Sequence, residues 1–198
     1  MTQLWWFVAR ASGLVAWALL TGTVLAGILI PGRLLARQRP AWFLDLHRWL
    51  GGLTLGFVAL HLVALVADTY VTFTPWSLLV PFASSWKPLP VALGVIAFWL
   101  LAVVEGTSLA MKQLPRRWWR RVHLFSYVAF FLTSLHGTFA GTDATNPAYQ
   151  TMSLVSLVAV VFSTVFRLLT RRSPRTPIPT GDTHSWRSTP SSGCPRTR

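Results

Sequence analysis

The sequence predicts an all-α, multi-pass transmembrane bundle of five spans followed by a disordered C-terminal tail, and three observations point that way. Hydrophobic residues make up 53% of the chain and charged residues only 12%, a balance foreign to soluble domains. The apolar residues come in blocks of roughly 20 or more, the length at which a helix crosses a hydrocarbon core of about 30 Å. The 18 lysines and arginines, which set a net charge of +13, gather at the ends of those blocks and in the tail. That placement suits membrane topology and a lipid bilayer as partner, and argues against a nucleic-acid face.

The first span runs from about Phe7 to Ile30 and stops at Pro31-Gly32, a strong breaker pair. Its apolar run is too long for a cleavable signal peptide, and its positive cluster (Arg33, Arg37, Arg39) follows the run instead of preceding it. The second span covers about Trp42 to Ala67. Between Asp68 and Pro90 the chain holds Pro75, Pro81, Pro88 and Pro90, so that no continuous helix can form there. Trp76 to Val80 is apolar but too short to cross, and is expected to lie along the interface. The third span, about Val91 to Met111, ends in a basic loop with Lys112, Arg116, Arg117, Arg120 and Arg121. The fourth covers about Trp118 to Ala140, and a short loop with Asp143 and Pro147 leads to the fifth, about Tyr149 to Leu169. Beyond Arg172 the composition turns to Ser, Thr, Pro and Gly with scattered Arg, which cannot bury enough apolar surface to fold. The expected division is a transmembrane domain over residues 1–171 and a disordered cytoplasmic tail over 172–198.

The basic residues also orient the chain. The loops after spans one and three and the C-terminal flank, with the helix ends beside them, hold all of them except Arg10 and Lys87. The positive-inside rule then puts the N-terminus outside and the C-terminus in the cytoplasm, in a cell membrane. Paired tryptophans (Trp5-Trp6, Trp118-Trp119) and the pairs Trp42 with Trp49 and Trp76 with Trp86 fall where aromatic belts form, whereas Trp17 and Trp99 read as packing residues.

Cys194 is the single cysteine and sits in the tail, so disulfides, iron–sulfur clusters and thiolate zinc sites are excluded. Metal chemistry must come from histidine. Four of the five histidines lie inside apolar spans, His47 and His61 on span two and His123 and His136 on span four, where an ionisable side chain is costly and marks function by default. A lone membrane histidine is more often a hydrogen-bonded packing residue. Two pairs matched in depth must satisfy several conditions at once, and that shifts the balance to ligation. Separations of 14 and 13 residues amount to about 20 Å along each helix, giving two levels, with His47 and His123 nearer the cytoplasm and His61 and His136 nearer the outside. Such levels suit two haems stacked across the membrane, each held by one imidazole from each span.

On span two, His47, Gly51, Thr54, Val58 and His61 share one face, and the small residues between the ligands leave clearance for a flat macrocycle. Gly52 and Gly56 suit close helix packing equally well. Span four fits less simply. Thirteen residues rotate a regular helix by about 1300°, which leaves His136 about 140° from His123, so either the helix is locally overwound or distorted between them or the second haem sits differently. Arg48, Arg120 and Arg121 are candidate partners for haem propionates, against the alternative of plain positive-inside residues. Glu105, in the inner third of span three, could pair with an arginine or a ligand imidazole or act as an interfacial carboxylate. His184 lies in the tail and has no such context.

The stretches His47-Arg48-Trp49-Leu50-Gly51 through His61, and Trp119-Arg120-Arg121-Val122-His123 through Leu135-His136-Gly137, resemble the transmembrane core of the ferric reductase and NADPH oxidase superfamily, in its bacterial ferric-reductase-like members. The resemblance covers residues 5 to 170, and the paired histidine spacing is its specific part. It implies that His47 with His123 holds an inner haem and His61 with His136 an outer one. Enzymes of that superfamily carry flavin- and nicotinamide-binding domains after the last span. Here no glycine-rich dinucleotide fingerprint is present, so no flavin or nicotinamide site is expected in this chain and electrons should come from another molecule. The chain is also similar in size to the haem-binding membrane subunit of the bacterial methionine sulfoxide reductase system, which lacks those domains and serves a periplasmic partner.

The expected function is transmembrane electron transfer through two b-type haems, from a cytoplasmic flavoprotein or a quinol to an acceptor outside the membrane. A self-sufficient ferric reductase at the outer surface differs only in the acceptor. A histidine-lined proton or metal transporter would need polar groups along a path, and the spans offer few beyond Glu105 and scattered Ser and Thr.

Overall fold

The computed structural model describes residues 2–30, 41–69, 71 and 73–170. The basic loop with Arg33, Arg37 and Arg39 and the expected tail, including His184 and Cys194, lie outside the described residues. Seven helices follow in order: α1 (Thr2–Leu29), α2 (Ala41–Ala67), α3 (Pro75–Leu79), α4 (Pro88–Leu109), α5 (Arg116–His123), α6 (Phe125–Ala140) and α7 (Pro147–Leu169). No strand occurs among the described residues. Among the described residues, five segments are long and apolar enough to cross a membrane, namely α1, α2, α4, α7 and the run Arg116–Ala140 formed by α5 and α6 together. The chain is therefore a multi-pass membrane protein.

Local chemistry sets the boundaries. Thr74 caps α3, its hydroxyl accepting from the Ser77 N–H at 3.2 Å, with Pro75 in the first turn. Asn146 does the same for α7, accepting from the Ala148 N–H at 2.9 Å ahead of Pro147. Lys87 enters α4 in a left-handed conformation, φ 42°, and its ammonium donates to the carbonyl of Phe139 near the end of α6 at 3.1 Å.

Packing is organised in two tight pairs, α1 along α2 and α4 along α6, with looser contacts from α1 to α6 and α2 to α4. The helices α2 and α6 scarcely touch and face each other across the diagonal of this four-helix ring. The fifth span, α7, rests on α1. Leu20, Val24 and Ile28 of α1, Leu101 of α4, Ala129 and Phe130 of α6 and Val160 of α7 form the core. Phe130 has no exposed surface and lies between the two histidines of span four. Trp17 bridges to α6 by donating its indole N–H to Ser134 Oγ at 3.1 Å, a hydrogen bond between helices of the sort that holds bundles in lipid.

Span four carries a local distortion of the kind that the spacing of its histidines led us to expect. It breaks at Leu124 between α5 and α6, where the Leu124 N–H bonds to the Arg121 carbonyl and the Tyr127 N–H to the Leu124 carbonyl, each at 3.2 Å and each spanning only three residues. Such turns wind by about 120° per residue instead of about 100°, the sense needed to bring His136 round. Trp76 to Val80, expected along the interface, falls in α3 and its C-cap. The Trp99 indole, eleven residues into α4, donates to the Leu79 carbonyl at 2.9 Å, and Pro81 lines a small apolar cavity with Ile96, Trp99, Leu100, Val103, Val122 and Phe125. The connection therefore runs back along α4. Within it Ser84 is buried, donating to the Trp86 carbonyl at 2.9 Å.

Candidate functional site

Each histidine candidate comes from α2 or from the α5–α6 span, and all four are half-buried. The rings of His47 and His123 meet across the diagonal with centroids 5.9 Å apart and planes inclined by 64°. Two imidazoles on opposite sides of one metal, each with a metal–nitrogen bond of about 2 Å, put their centroids about 6 Å apart. The expected inner pair is thus brought together at ligating distance. His61 and His136 make no ring contact of that kind, and their positions are fixed by neighbours instead.

Those neighbours lie on the helices that carry no histidine. Nδ1–H of His61 donates to the Ala9 carbonyl of α1 at 2.7 Å, and that of His47 to the Thr23 carbonyl of α1 at 3.0 Å. Nδ1–H of His136 donates to the Pro90 carbonyl of α4 at 2.8 Å. Around His123 the acceptor is Ser108 Oγ of α4, at 3.4 Å. A carbonyl can only accept, so it fixes the proton on Nδ1 and leaves the Nε2 lone pair for a metal. This is the usual arrangement behind a metal-bound histidine.

Space for the rings comes from glycine. A Cβ built on Gly13 would stand 3.1 Å from His61 Nδ1, one on Gly27 3.2 Å from His47 Cε1, and one on Gly94 2.7 Å from His136 Nδ1. Gly13 and Gly27 are fourteen residues apart on α1, the separation of His47 and His61 on α2; Gly94 and Ser108 repeat it on α4. Sequence reasoning missed these four residues. The matching fourteen-residue spacing was there to be read, but it acquires meaning only once α1 is known to lie on α2 and α4 on α6.

The donor set suits a haem better than a bare ion. A structural or catalytic cation takes three or more protein ligands, and among the described residues no three His, Cys, Asp or Glu side chains cluster. A porphyrin brings four nitrogens of its own and asks the protein for two axial imidazoles. The helices α2 and α6 scarcely pack on each other, as a flat group held between them would require. Beside His123, Trp119 stacks at 5.2 Å and 29°, and its buried indole N–H has no acceptor within the protein. An orphaned donor at a ligand's edge fits a group that carries carboxylates.

The sequence profile of the family described as ferric reductase like transmembrane component matches residues 12–134. The chain belongs to that family. The match takes in most of α1, then α2, α4, α5 and most of α6, with His47, His61 and His123, and ends two residues before His136. No curated protein and no solved structure matches the chain.

In this ferric reductase like chain the remaining candidates stand near the span ends where the sequence put them. Arg48 is exposed and lies 3.6 Å from Asp45 one turn earlier. Arg120 and Arg121 are exposed on α5, Arg121 lying 5.5 Å over the Trp118 ring. None of the three has a partner that fixes it toward the histidines. Glu105 packs against α2 at Gly51, where a Cβ would come within 2.9 Å of its Oε2. Together with Arg48 it borders an open groove of about 550 Å³ whose wall includes Gly52 and Gly56. A Cβ built on either of those glycines would meet nothing within 4 Å, so they widen the groove instead of packing helices together.

Proposed function

We propose that this ferric reductase like protein is a transmembrane electron-transfer component carrying two b-type haems, the inner held by His47 and His123 and the outer by His61 and His136. The observation that carries the reading is that all four imidazoles lie on the two diagonal helices, with each Nδ1 engaged by the neighbouring helix and each Nε2 left to bind. When bound, a b-type haem with both axial positions filled supplies a one-electron couple and outer-sphere transfer. The chain's own residues hold the ligand tautomers, keep α2 and α6 apart, and surround the site with an apolar wall. Trp119, Arg120, Arg121 and Arg48 are the donors on the cytoplasmic side for haem carboxylates.

The donor of electrons is a separate cytoplasmic flavoprotein or a quinol, and the acceptor lies outside the membrane. The N-terminus is outside and the C-terminus cytoplasmic, on the distribution of lysine and arginine. The purified chain should give a haem b spectrum on reduction with dithionite. His47→Ala and His123→Ala should remove one spectral component, and His61→Ala and His136→Ala the other. A wild-type spectrum without haem b, or single variants that all keep both components, would refute the reading. Adding ferric chelates to the reduced protein and following reoxidation separates a metal reductase from a conduit to a protein acceptor.

A further inference from the structure

Three of the four histidines are braced in one way and the fourth in another. Behind His61, His47 and His136 stands a glycine, and the carbonyl four residues before that glycine accepts the imidazole N–H: Ala9 before Gly13, Thr23 before Gly27, Pro90 before Gly94. In an ordinary helix a side chain at the glycine position would shield that carbonyl; without a Cβ the ring reaches it. Behind His123 the corresponding residue, fourteen after Gly94, is Ser108, and the carbonyl four residues earlier is that of Val104. Ser108 Oγ–H donates to this carbonyl at 2.7 Å and stands 3.4 Å from His123 Nδ1. The hydroxyl has taken the acceptor that the ring uses at the other three sites. His123 is left with a longer bond, to a hydroxyl oxygen whose own proton is already committed.

Hydrogen bonding behind a metal-bound imidazole raises the basicity of the ligand, and a more basic ligand favours the oxidised iron. The lever is one of those by which a protein tunes haem potential. A short bond to a carbonyl pulls the potential down; a long bond to a hydroxyl pulls it down less. We propose that Ser108 is a positioning residue that holds the reduction potential of the His47–His123 haem above the value a glycine-backed carbonyl brace would give. This rests on the bis-histidine haem reading. Its consequence is that the haem nearer the cytoplasm takes up an electron more readily than it would with His123 braced by a backbone carbonyl like the other three.

Redox titration of the full chain in lipid nanodiscs, followed in the haem b absorption, tests it in wild type, S108G, S108A and S108T. S108G opens the Val104 carbonyl to His123 and should lower one midpoint. S108A removes the acceptor while its Cβ keeps the carbonyl covered, and should raise the same midpoint. One net hydrogen bond changes an equilibrium by up to about tenfold, which for a one-electron couple is about 59 mV. S108T keeps the hydroxyl and should return to the wild-type value, and the second haem should not move in any variant. Shifts of the same sign in S108G and S108A, equal shifts of both haems, or loss of the inner haem from both variants would overturn the assignment and make Ser108 a packing residue. A wild type with two haems and unmoved midpoints in the variants sinks the assignment alone. A wild type with no haem b sinks the two-haem reading and the assignment with it.

Discussion

Alanine at Gly94 puts the braces under direct test. The new Cβ would stand 2.7 Å from His136 Nδ1, 2.8 Å from Cε1 and 3.1 Å from Cγ, where ordinary contact begins at 3.4 Å. The ring must therefore retreat by about 0.7 Å, since the opposing atom is helix backbone and the close-packed interior yields little. Nδ1 now sits 2.8 Å from the Pro90 carbonyl, and the same retreat along that line stretches the bond to about 3.5 Å, the edge of a real hydrogen bond. Losing a partner behind a metal ligand typically costs about 10- to 100-fold in affinity for the metal group. Gly94→Ala should lower haem affinity of the outer component by that factor and spare the inner one. Gly13→Ala and Gly27→Ala, with closest approaches of 3.1 and 3.2 Å, should act on the outer and inner components respectively and more weakly. Haem per chain and the reduced-minus-oxidised spectrum, read while haem is titrated into each variant, give the result. Full retention of both components in Gly94→Ala, or loss of the inner one, would refute the reasoning.

Two further outcomes follow from the same structure. Arg10 reaches across the sequence to Asp143 in the α6–α7 connection, with Nε donating at 3.0 Å and a second guanidinium nitrogen to the other oxygen, while its carbon lies 4.2 Å over Trp6. The pair is half-exposed, so a double-mutant cycle with Arg10→Gln and Asp143→Asn should give a coupling of about 1 kcal/mol, the upper end for partly solvated bidentate pairs; additive effects would remove the pair from the account. Orientation is open to chemistry because Cys194 is the chain's single cysteine. A membrane-impermeant maleimide should label it in inverted vesicles and not in right-side-out ones, and the reverse pattern would overturn the topology.

Much of the fold could be read from composition because length and hydropathy are properties of single segments. The five spans agree with the sequence to within a few residues, and α3 was recognised as too short to cross. The depth matching of His47 with His123 was equally local arithmetic. What could not be read depends on neighbours. The break at Leu124 has no breaker residue; only the rotational misfit between His123 and His136 announced it. The path of residues 73–87 is set by Trp99 and by the apolar cavity around Pro81, contacts that no window of sequence contains. Trp17 and Trp99, read as packing residues, each donate a hydrogen bond to another element.

The braces expose a division of labour that explains the topology itself. A flat group placed between two ligand helices prevents those helices from packing on each other, so neither can hold its histidine by contact with the opposite one. In lipid there is no hydrophobic drive to replace that contact, and close approach plus interhelical hydrogen bonds must serve. On the proposed reading the chain meets this by placing ligands on α2 and the α5–α6 span and support on α1 and α4, one tight pair for each. Glycine belongs on the supporting member because there the imidazole must come within hydrogen-bonding reach of a backbone carbonyl already engaged in its own helix. A supporting helix with a side chain at Gly13, Gly27 or Gly94 could still cross the membrane and still pack. It could not set the tautomer, which on the proposed reading is why these glycines, on helices without a histidine, belong to the site.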